Sequence, residues 1–223
     1  MHTQLNIGAI MKPFDARTCI RTEYIEDVGD WMWPADDVML WYIITKEWPA
    51  FKDAYLKYRE GDFCCVQAGG ACGMYPRLLS KIFKHVYTFE PDYLNFHCLV
   101  NNCQEENIVK INAALGDEHK MIRINRSHPT NAGMHKVDLD ISGYVPQLKI
   151  DNFQFEHLDM IALDVEEYEI YALIGGENNI RKHTPLIVAE NGDGEIIEYL
   201  QQVNKNYRLI ETIRMDSFYK VVK

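Results

Sequence analysis

The sequence predicts a doubly wound α/β fold, in which helices cover both faces of a mostly parallel sheet. From Gly61 onward, short apolar runs typical of buried strands alternate with segments of helical periodicity. The first run breaks into a glycine-rich turn, as strands often do where an α/β sheet binds a nucleotide. The last two runs, 207–211 and 218–222, have only a short link between them, so they are predicted to form an antiparallel hairpin.

The elements of this domain, residues 61–223, follow one another with one interruption. Strands are predicted at 63–67, 85–89, 108–112, 120–124, 160–163 and 186–189, and helices at about 75–84, 92–103, 167–176 and 195–205. The interruption is a polar loop that contains Pro129, Gly133 and His135. Its length fits a flap over an active site.

Residues 1–60 differ from the rest and predict an N-terminal helical arm, an extended segment followed by one or two helices that pack on the core. The segment 34–37 has an early proline and acidic residues, which are typical of a helix start. Packing onto the sheet is the favoured role for four tryptophans, Trp31, Trp33, Trp41 and Trp48. An apolar arm of this kind could also cover a cofactor or join two subunits into a homo-oligomer.

Composition narrows the classes of function. The 223 residues carry a formal net charge of −10, which repels phosphate backbones and argues against nucleic-acid binding. No run reaches the roughly 18 apolar residues of a membrane span, and the first residues do not resemble a signal peptide, so a cytoplasmic protein is expected. The six cysteines form no C-x-x-C pair and predict buried, reduced thiols and no zinc site. No dedicated ligand spacing predicts another metal site, so a divalent ion on the strand-end carboxylates stays an alternative without support from spacing.

Four segments are predicted to meet at the carboxyl edge of the sheet, where an open α/β sheet binds its ligand. They are the turn 68–73, the strand end Glu90–Pro91, and the stretches 112–117 and 164–169. Small residues in the turn would let the backbone approach a nucleotide closely. Glu90, about 20 positions further on, would accept hydrogen bonds from ribose hydroxyls.

The terminal hairpin favours one class of nucleotide ligand. A parallel sheet with an antiparallel hairpin at its end is the layout of class I S-adenosylmethionine (SAM) methyltransferases, whereas dinucleotide dehydrogenases usually continue with parallel crossovers. With SAM as ligand, the turn would contact the methionine part, Ala113 and Ala114 would flank the adenine, and Asp164 would lie below the reactive centre. The predicted cofactor-binding residues are Gln67, Gly69, Gly70, Gly73, Glu90, Pro91, Ala114, Asp117 and Asp164. A glycine turn with an acidic residue also fits NAD, so an NAD-dependent oxidoreductase stays an alternative.

The same segments resemble the FkbM family of SAM-dependent methyltransferases over about residues 60–190. The strings that carry the resemblance are Val66–Tyr75, Tyr87–Pro91, Asn112–Asp117, Leu163–Glu169 and Ala172–Gly176. The resemblance implies SAM as the cofactor and methyl transfer mostly to hydroxyl oxygens of sugars or related metabolites. The expected partner is therefore a small-molecule or glycan acceptor.

Three positions depart from the family pattern: Gln67, Ala71 and Glu167 stand where the family usually has Asp, Asn and Gly. Gln67 keeps hydrogen-bonding atoms but lacks the charge that would help to hold the cationic end of SAM. We therefore expect weaker cofactor binding, and tighter binding after Gln67→Asp. The lost charge also leaves open a non-catalytic binding module on the same fold. The missing glycine at position 167 predicts an ordinary helix start.

Methyl transfer from a sulfonium requires in-line placement of donor and acceptor, and a base only when the acceptor hydroxyl is poorly acidic. The catalytic candidates are Asp164, Glu166, Glu190 and His135, and the sequence does not choose among them. Asp164 ends a buried strand, where a carboxylate is costly unless it is partnered or faces a cleft. Glu166 could instead favour the start of the following helix through its dipole, Glu190 could belong to a simple turn, and a loop histidine is more often exposed and idle.

Overall fold

The computed structural model describes residues 20–25, 29–35, 37, 48–126, 131, 134–138, 143–190, 192 and 194–222. Its strands are β1 (Ile20–Ile25), β2 (Gly29–Pro34), β3 (Cys64–Ala68), β4 (His85–Phe89), β5 (Ile108–Ile111), β6 (Ala114–Leu115), β7 (Lys120–Asn125), β8 (Lys136–Asp138), β9 (Val145–Leu148), β10 (Met160–Leu163), β11 (Leu186–Glu190), β12 (Tyr207–Ile213) and β13 (Asp216–Val221). Its helices are α1 (Trp48–Tyr58), α2 (Met74–Leu79), α3 (Tyr93–Asn102), α4 (Glu169–Ile174), α5 (Glu177–His183) and α6 (Gly194–Val203), with a short 3₁₀ turn at Ile150–Asn152.

The main sheet has seven strands in the spatial order β12-β13-β11-β10-β3-β4-β5. The pairs from β11 to β5 are parallel, and β13 runs antiparallel to both of its neighbours. The central strand β3 is buried on both faces, with Val66 in one apolar core and Cys65 in the other. The predicted doubly wound sheet with a C-terminal antiparallel hairpin is therefore confirmed.

A second, four-stranded sheet follows β5, in the order β6-β9-β7-β8. A small apolar core of Ala114, Ile122 and Val145 holds it together. The sequence predicted a strand over 120–124, but β8 and β9 were missed because their short, half-buried stretches lack a clear period of two. This sheet matters because β7 and β8 contribute side chains to the cleft described below.

The N-terminal segment contains a β-hairpin where the sequence predicted a helix start. Pro34 pairs with Ile20 as the last residue of β2, so the prediction that a helix begins at Pro34 is wrong. The alternation of β2 points Trp31 and Trp33 inward, where they pack against Cys72 of the glycine-rich segment and Cys98 of α3. Residues 38–47, which include Trp41, lie outside the described residues, and α1 follows as a helix.

Two expectations from composition can be compared with the described residues. Cys64, Cys65, Cys72, Cys98 and Cys103 are buried free thiols, as predicted. Within the same part of the chain, no helix is both long enough and apolar enough to cross a membrane.

Candidate active site

A cleft of about 620 Å³, open solvent at its mouth included, lies at the carboxyl edge of the main sheet. Its lining comes from the predicted segments and from the second sheet: Ala68, Gly69, Ala71, Phe89, Glu90, Pro91, Asn95, Ala113, Ala114, Leu115, Ile124, His135, Val137, Asp164, Val165, Glu166 and Tyr168. The sheet therefore builds one cleft where the sequence predicted that four segments would meet.

Glu90 lies just beyond the end of β4 and is tied to the glycine-rich turn. Its Oε2 accepts a hydrogen bond of 2.7 Å from the backbone N of Ala71, and its Oε1 accepts one of 2.8 Å from the backbone N of Asp92. The side chain is 5% exposed. Burial, with the nearby charge of Asp92, raises the pKa of Glu90 to about 8. Two backbone donors thus fix this carboxylate in the cleft wall and leave acceptor capacity for a ligand.

Gly69 lets the turn pass close to the end of β10. Its φ of +82° is one that side chains rarely adopt, and a Cβ at this position would overlap the backbone oxygen of Asp164. The backbone N of Asp164 in turn donates to the carbonyl of Ala68 at 3.1 Å. Glycine is required here because the turn and the 164–169 stretch touch at the floor of the cleft.

Gln67 supports the turn from beneath and does not line the cleft. Its amide nitrogen donates to the carbonyls of Ala68 and Gly69 at 3.0 and 2.9 Å, and its Oε1 accepts from Thr88 Oγ1 at 2.6 Å. The residue is 2% exposed. The geometry therefore gives Gln67 a supporting role within the fold, which differs from the contact with the cationic end of SAM that the sequence suggested.

Apolar side chains form the part of the cleft beyond Glu90. Ala113, Ala114 and Leu115 contribute one wall, and Ile124 and Val137, which pair across β7 and β8, contribute another. Asn112 fixes the approach to this region because its amide donates to the carbonyls of Glu90 and Pro91. The result is an apolar region of the cleft, the slot, beside a hydrogen-bonding carboxylate.

Three carboxylates converge at the carboxyl ends of β10 and β11. Oxygen atoms of Asp164, Glu166 and Glu190 lie within 4.8 Å of one another, close enough to hold a divalent cation together. Burial and the neighbouring carboxylate of Glu190 raise the pKa of Asp164 well above its ordinary value. The pKa of Glu166 rises to about 7, first through burial and then through Glu190. The cluster can therefore accept a proton near neutral pH.

The stretch after β10 is strained and is not an ordinary helix start. Glu166 and Glu167 have φ values of +53° and +72°, in the left-handed region that disfavours side chains. The side chain of Glu169 stabilises this backbone conformation, because its Oε1 accepts a hydrogen bond of 3.0 Å from the backbone N of Val165. The expectation of a regular backbone at position 167 is therefore wrong: the chain keeps the conformation in which glycine would be favoured and places glutamate there.

Seven of the predicted site residues line the cleft, and the others lie outside its lining. The lining includes Gly69, Glu90, Pro91, Ala114, Asp164, Glu166 and His135. Gly70 and Gly73 shape the turn from outside this lining, and Asp117 also lies outside it. Glu190 stands next to Asp164 at the end of β11. His135 contacts Asp92 instead of the carboxylate cluster, because its Nδ1 lies 3.1 Å from Asp92 Oδ2.

Several site residues were missed by sequence reasoning. Asn95 and Tyr168 line the cleft, and Arg126 and Asp92 form an ion pair beside it. Asp92 carried a readable signal, because an Asp before an apolar helix is a typical N-cap, and it accepts from the backbone N of Leu94. The position of Arg126 depends on how the second sheet lies against the first, which local sequence does not reveal.

A family model described as the methyltransferase FkbM domain matches residues 74–215, more than half of the chain. The solved structures include a methyltransferase FkbM from Methylobacillus flagellatus KT, with 17% identity, a TM-score of 0.50, and coverage of 71% of this chain and 43% of that one. This chain therefore spans less than half of that protein, and the likeness shows the fold alone.

Two further solved structures are similar at lower TM-scores. An rRNA methylase from Streptococcus thermophilus has 11% identity and a TM-score of 0.48, with 78% of this chain and 95% of that chain covered. A SAM-dependent methyltransferase from Aquifex aeolicus has 12% identity and a TM-score of 0.44, with coverage of 84% and 95%. No curated protein matches the chain.

Proposed function

Because the chain belongs to the FkbM methyltransferase family, we propose that it transfers a methyl group from SAM to a hydroxyl oxygen of a sugar or related small metabolite. One observation carries the proposal: a hydrogen-bonding carboxylate, Glu90, and a proton-accepting carboxylate, Asp164, line the same cleft. The first is suited to hold a nucleoside, and the second is suited to serve an acceptor. The family match removes most of the support from the NAD-dependent alternative.

The described residues fit the nucleoside of SAM. Glu90 presents acceptor oxygens for ribose hydroxyls, and the slot between Ala114, Ile124 and Val137 offers apolar contact for an adenine ring. The backbone of Gly69, which lines the cleft, would face the methionine end. When bound, SAM would supply a methyl group activated by its positively charged sulfur.

The carboxylates beyond Gly69 would serve the acceptor. An acceptor hydroxyl oxygen forms the new bond to the methyl carbon as the carbon–sulfur bond breaks, and the electron pair of that bond goes to sulfur. The hydroxyl proton would leave at the same time, and the cluster of Asp164, Glu166 and Glu190 is placed to take it on a carboxylate that is ionised. A carboxylate whose pKa burial has raised is a stronger base than a solvated one, so this cluster suits a poorly acidic hydroxyl. We assign the base to this cluster and not to His135, because His135 faces Asp92.

The test is transfer of label from methyl-labelled SAM to a panel of glycans and small hydroxylated metabolites. An acceptor that becomes labelled should no longer be labelled when its target hydroxyl is replaced by hydrogen. Asp164→Asn should lower turnover by about 10²-fold, whereas Asp62→Asn, an exposed residue paired with Lys84, should not. A protein that binds SAM but labels nothing in the panel would favour the non-catalytic binding module.

A further inference from the structure

Asp92 joins three parts of the structure around the nucleoside side of the cleft, although it is not among the lining residues. It is 1% exposed. Its Oδ1 accepts from the backbone N of Leu94 and Asn95 at the start of α3, and its own backbone N donates to Glu90. The residue therefore fixes both the helix start and the carboxylate that would hold the ribose.

The second carboxylate oxygen of Asp92 binds the other sheet. Oδ2 lies 2.6 Å from Arg126 Nε and 3.1 Å from His135 Nδ1. Burial alone would raise the pKa of Asp92, but the contacts with His135 and Arg126 hold that pKa below its ordinary value. Its charge is thus compensated inside the protein by the guanidinium of Arg126.

The two partners of Oδ2 lie one residue beyond the paired ends of β7 and β8. Ile124 pairs with Val137 and Asn125 pairs with Lys136, so Arg126 and His135 occupy the next position along the same hairpin ladder. Arg126 is further held by the ring of Tyr93, whose centroid lies 4.3 Å from the guanidinium carbon. One carboxylate therefore fastens both strands two residues beyond Ile124 and Val137, the pair that walls the apolar slot.

We propose that Asp92 is a positioning residue that holds Glu90 and the Ile124–Val137 wall in one arrangement, through the contacts with Arg126 and His135 that we call the clasp. This inference rests on the proposed function, because the slot is the part of the cleft assigned to the nucleoside. Loss of the clasp should lower affinity for the cofactor by freeing one wall of the slot, while the carboxylates on the acceptor side keep their positions.

Arg126→Met removes the charged contact of the clasp and leaves unaltered the backbone hydrogen bonds that hold Asp92 and Glu90. We expect this variant to bind S-adenosylhomocysteine (SAH) about 10-fold more weakly by calorimetry, as loss of a charge-assisted contact implies. The matched control is Arg123→Met, an exposed arginine on the same strand, which should bind within about twofold of the unaltered protein. Arg126→Lys should recover part of the affinity because it keeps the charge.

Backbone hydrogen exchange of the ligand-free protein gives a second readout that does not depend on the cofactor. Exchange in β7 and β8 should become faster in Arg126→Met and stay unchanged in β10 and β11. Unchanged exchange in β7 and β8, or SAH affinity equal to that of the unaltered protein, would overturn the clasp. If the unaltered protein binds no SAH, the proposed function fails, and the exchange measurement still decides whether the clasp holds the wall.

Discussion

The backbone N of Ala71 donates to Glu90 Oε2 over 2.7 Å and joins the glycine-rich turn directly to the acidic end of β4. The two features stand 19 residues apart in the sequence. The hydrogen bond aligns the part of the cleft that would face the methionine end of SAM with the part that would face its ribose. Ala71 reaches this position with a φ of +42°, so the turn accepts some backbone strain to make the contact.

The buried carboxyl groups predict that the ligand-free protein loses stability as pH rises. The folded state holds protons on Glu90 up to about pH 8 and on Glu166 up to about pH 7, whereas the unfolded chain releases them near 4.5. Stability from these groups is therefore fully present below about 4.5 and is lost as pH rises toward 8. Each group should contribute a slope of at most about 1.4 kcal/mol per pH unit.

Urea unfolding between about pH 5 and pH 8.5 measures this loss. Glu90→Gln and Glu166→Gln should each flatten the profile, because the amide cannot ionise. Glu118→Gln, on an exposed side chain, should leave it unchanged. Profiles of the same slope in all four proteins would mean that these carboxyls are ionised in the folded state.

Gln67→Asp should destabilise the protein instead of improving cofactor binding. The shorter, charged side chain would lose the donor bonds to the carbonyls of Ala68 and Gly69 at a position that is 2% exposed. We expect a loss of about 2 kcal/mol or more in the free energy of unfolding. Gln154→Asp on an exposed loop serves as the control. Tighter SAH binding in a stable Gln67→Asp protein would show that this side chain reaches the ligand after all.

Glu167→Gly should stabilise the fold by about 0.5–1 kcal/mol, because glycine adopts the observed φ of +72° without strain. Glu167→Ala is the matched control, since it also removes the exposed ion pair with Lys136 but keeps a Cβ. The difference between the two variants in thermal or urea unfolding isolates the backbone effect. Equal stability of the glycine and alanine variants would contradict the strain.

Asp164→Asn should separate stability from catalysis. Because burial and Glu190 disfavour its ionised form, the change should alter the free energy of unfolding by less than about 1 kcal/mol near pH 6 and should increase stability near pH 8. Turnover should nevertheless fall by about 10²-fold. Paired unfolding and methyl-transfer assays measure both effects, and a folded, fully active variant would place the base elsewhere.

The sequence predicted the main sheet well because its strands carry strong local signals. Strands such as Met160–Leu163 and His85–Phe89 are short apolar runs between polar segments, and the short link between β12 and β13 left only an antiparallel pairing. The hairpin of β1 and β2 was missed because its local signal points to another structure. Pro34 and the acidic residues after it imitate a helix start, and only the pairing of Pro34 with Ile20 decides the conformation.

The candidate site was predictable where it depends on strand ends and unpredictable where it depends on contacts between the two sheets. Glu90 and Asp164 follow buried strands, so their place at the carboxyl edge could be read directly. The contact of His135 and Arg126 with Asp92 joins residues more than 30 positions apart across the sheets. The positive φ of Glu167 could not be predicted from the sequence, because glutamate is an ordinary residue at a helix start.

Calorimetry with SAM, SAH and NAD, on the unaltered protein and on Glu90→Gln, tests the proposed cofactor cleft most directly. We predict that SAM and SAH bind with dissociation constants from about 1 μM to below about 1 mM and that NAD does not bind. Glu90→Gln should weaken binding by about 0.5–1.5 kcal/mol near neutral pH, the contribution of a hydrogen bond between neutral groups, because Glu90 holds its proton up to about pH 8. Tight binding of NAD without binding of SAM or SAH would contradict the assignment of this cleft to a methyl donor.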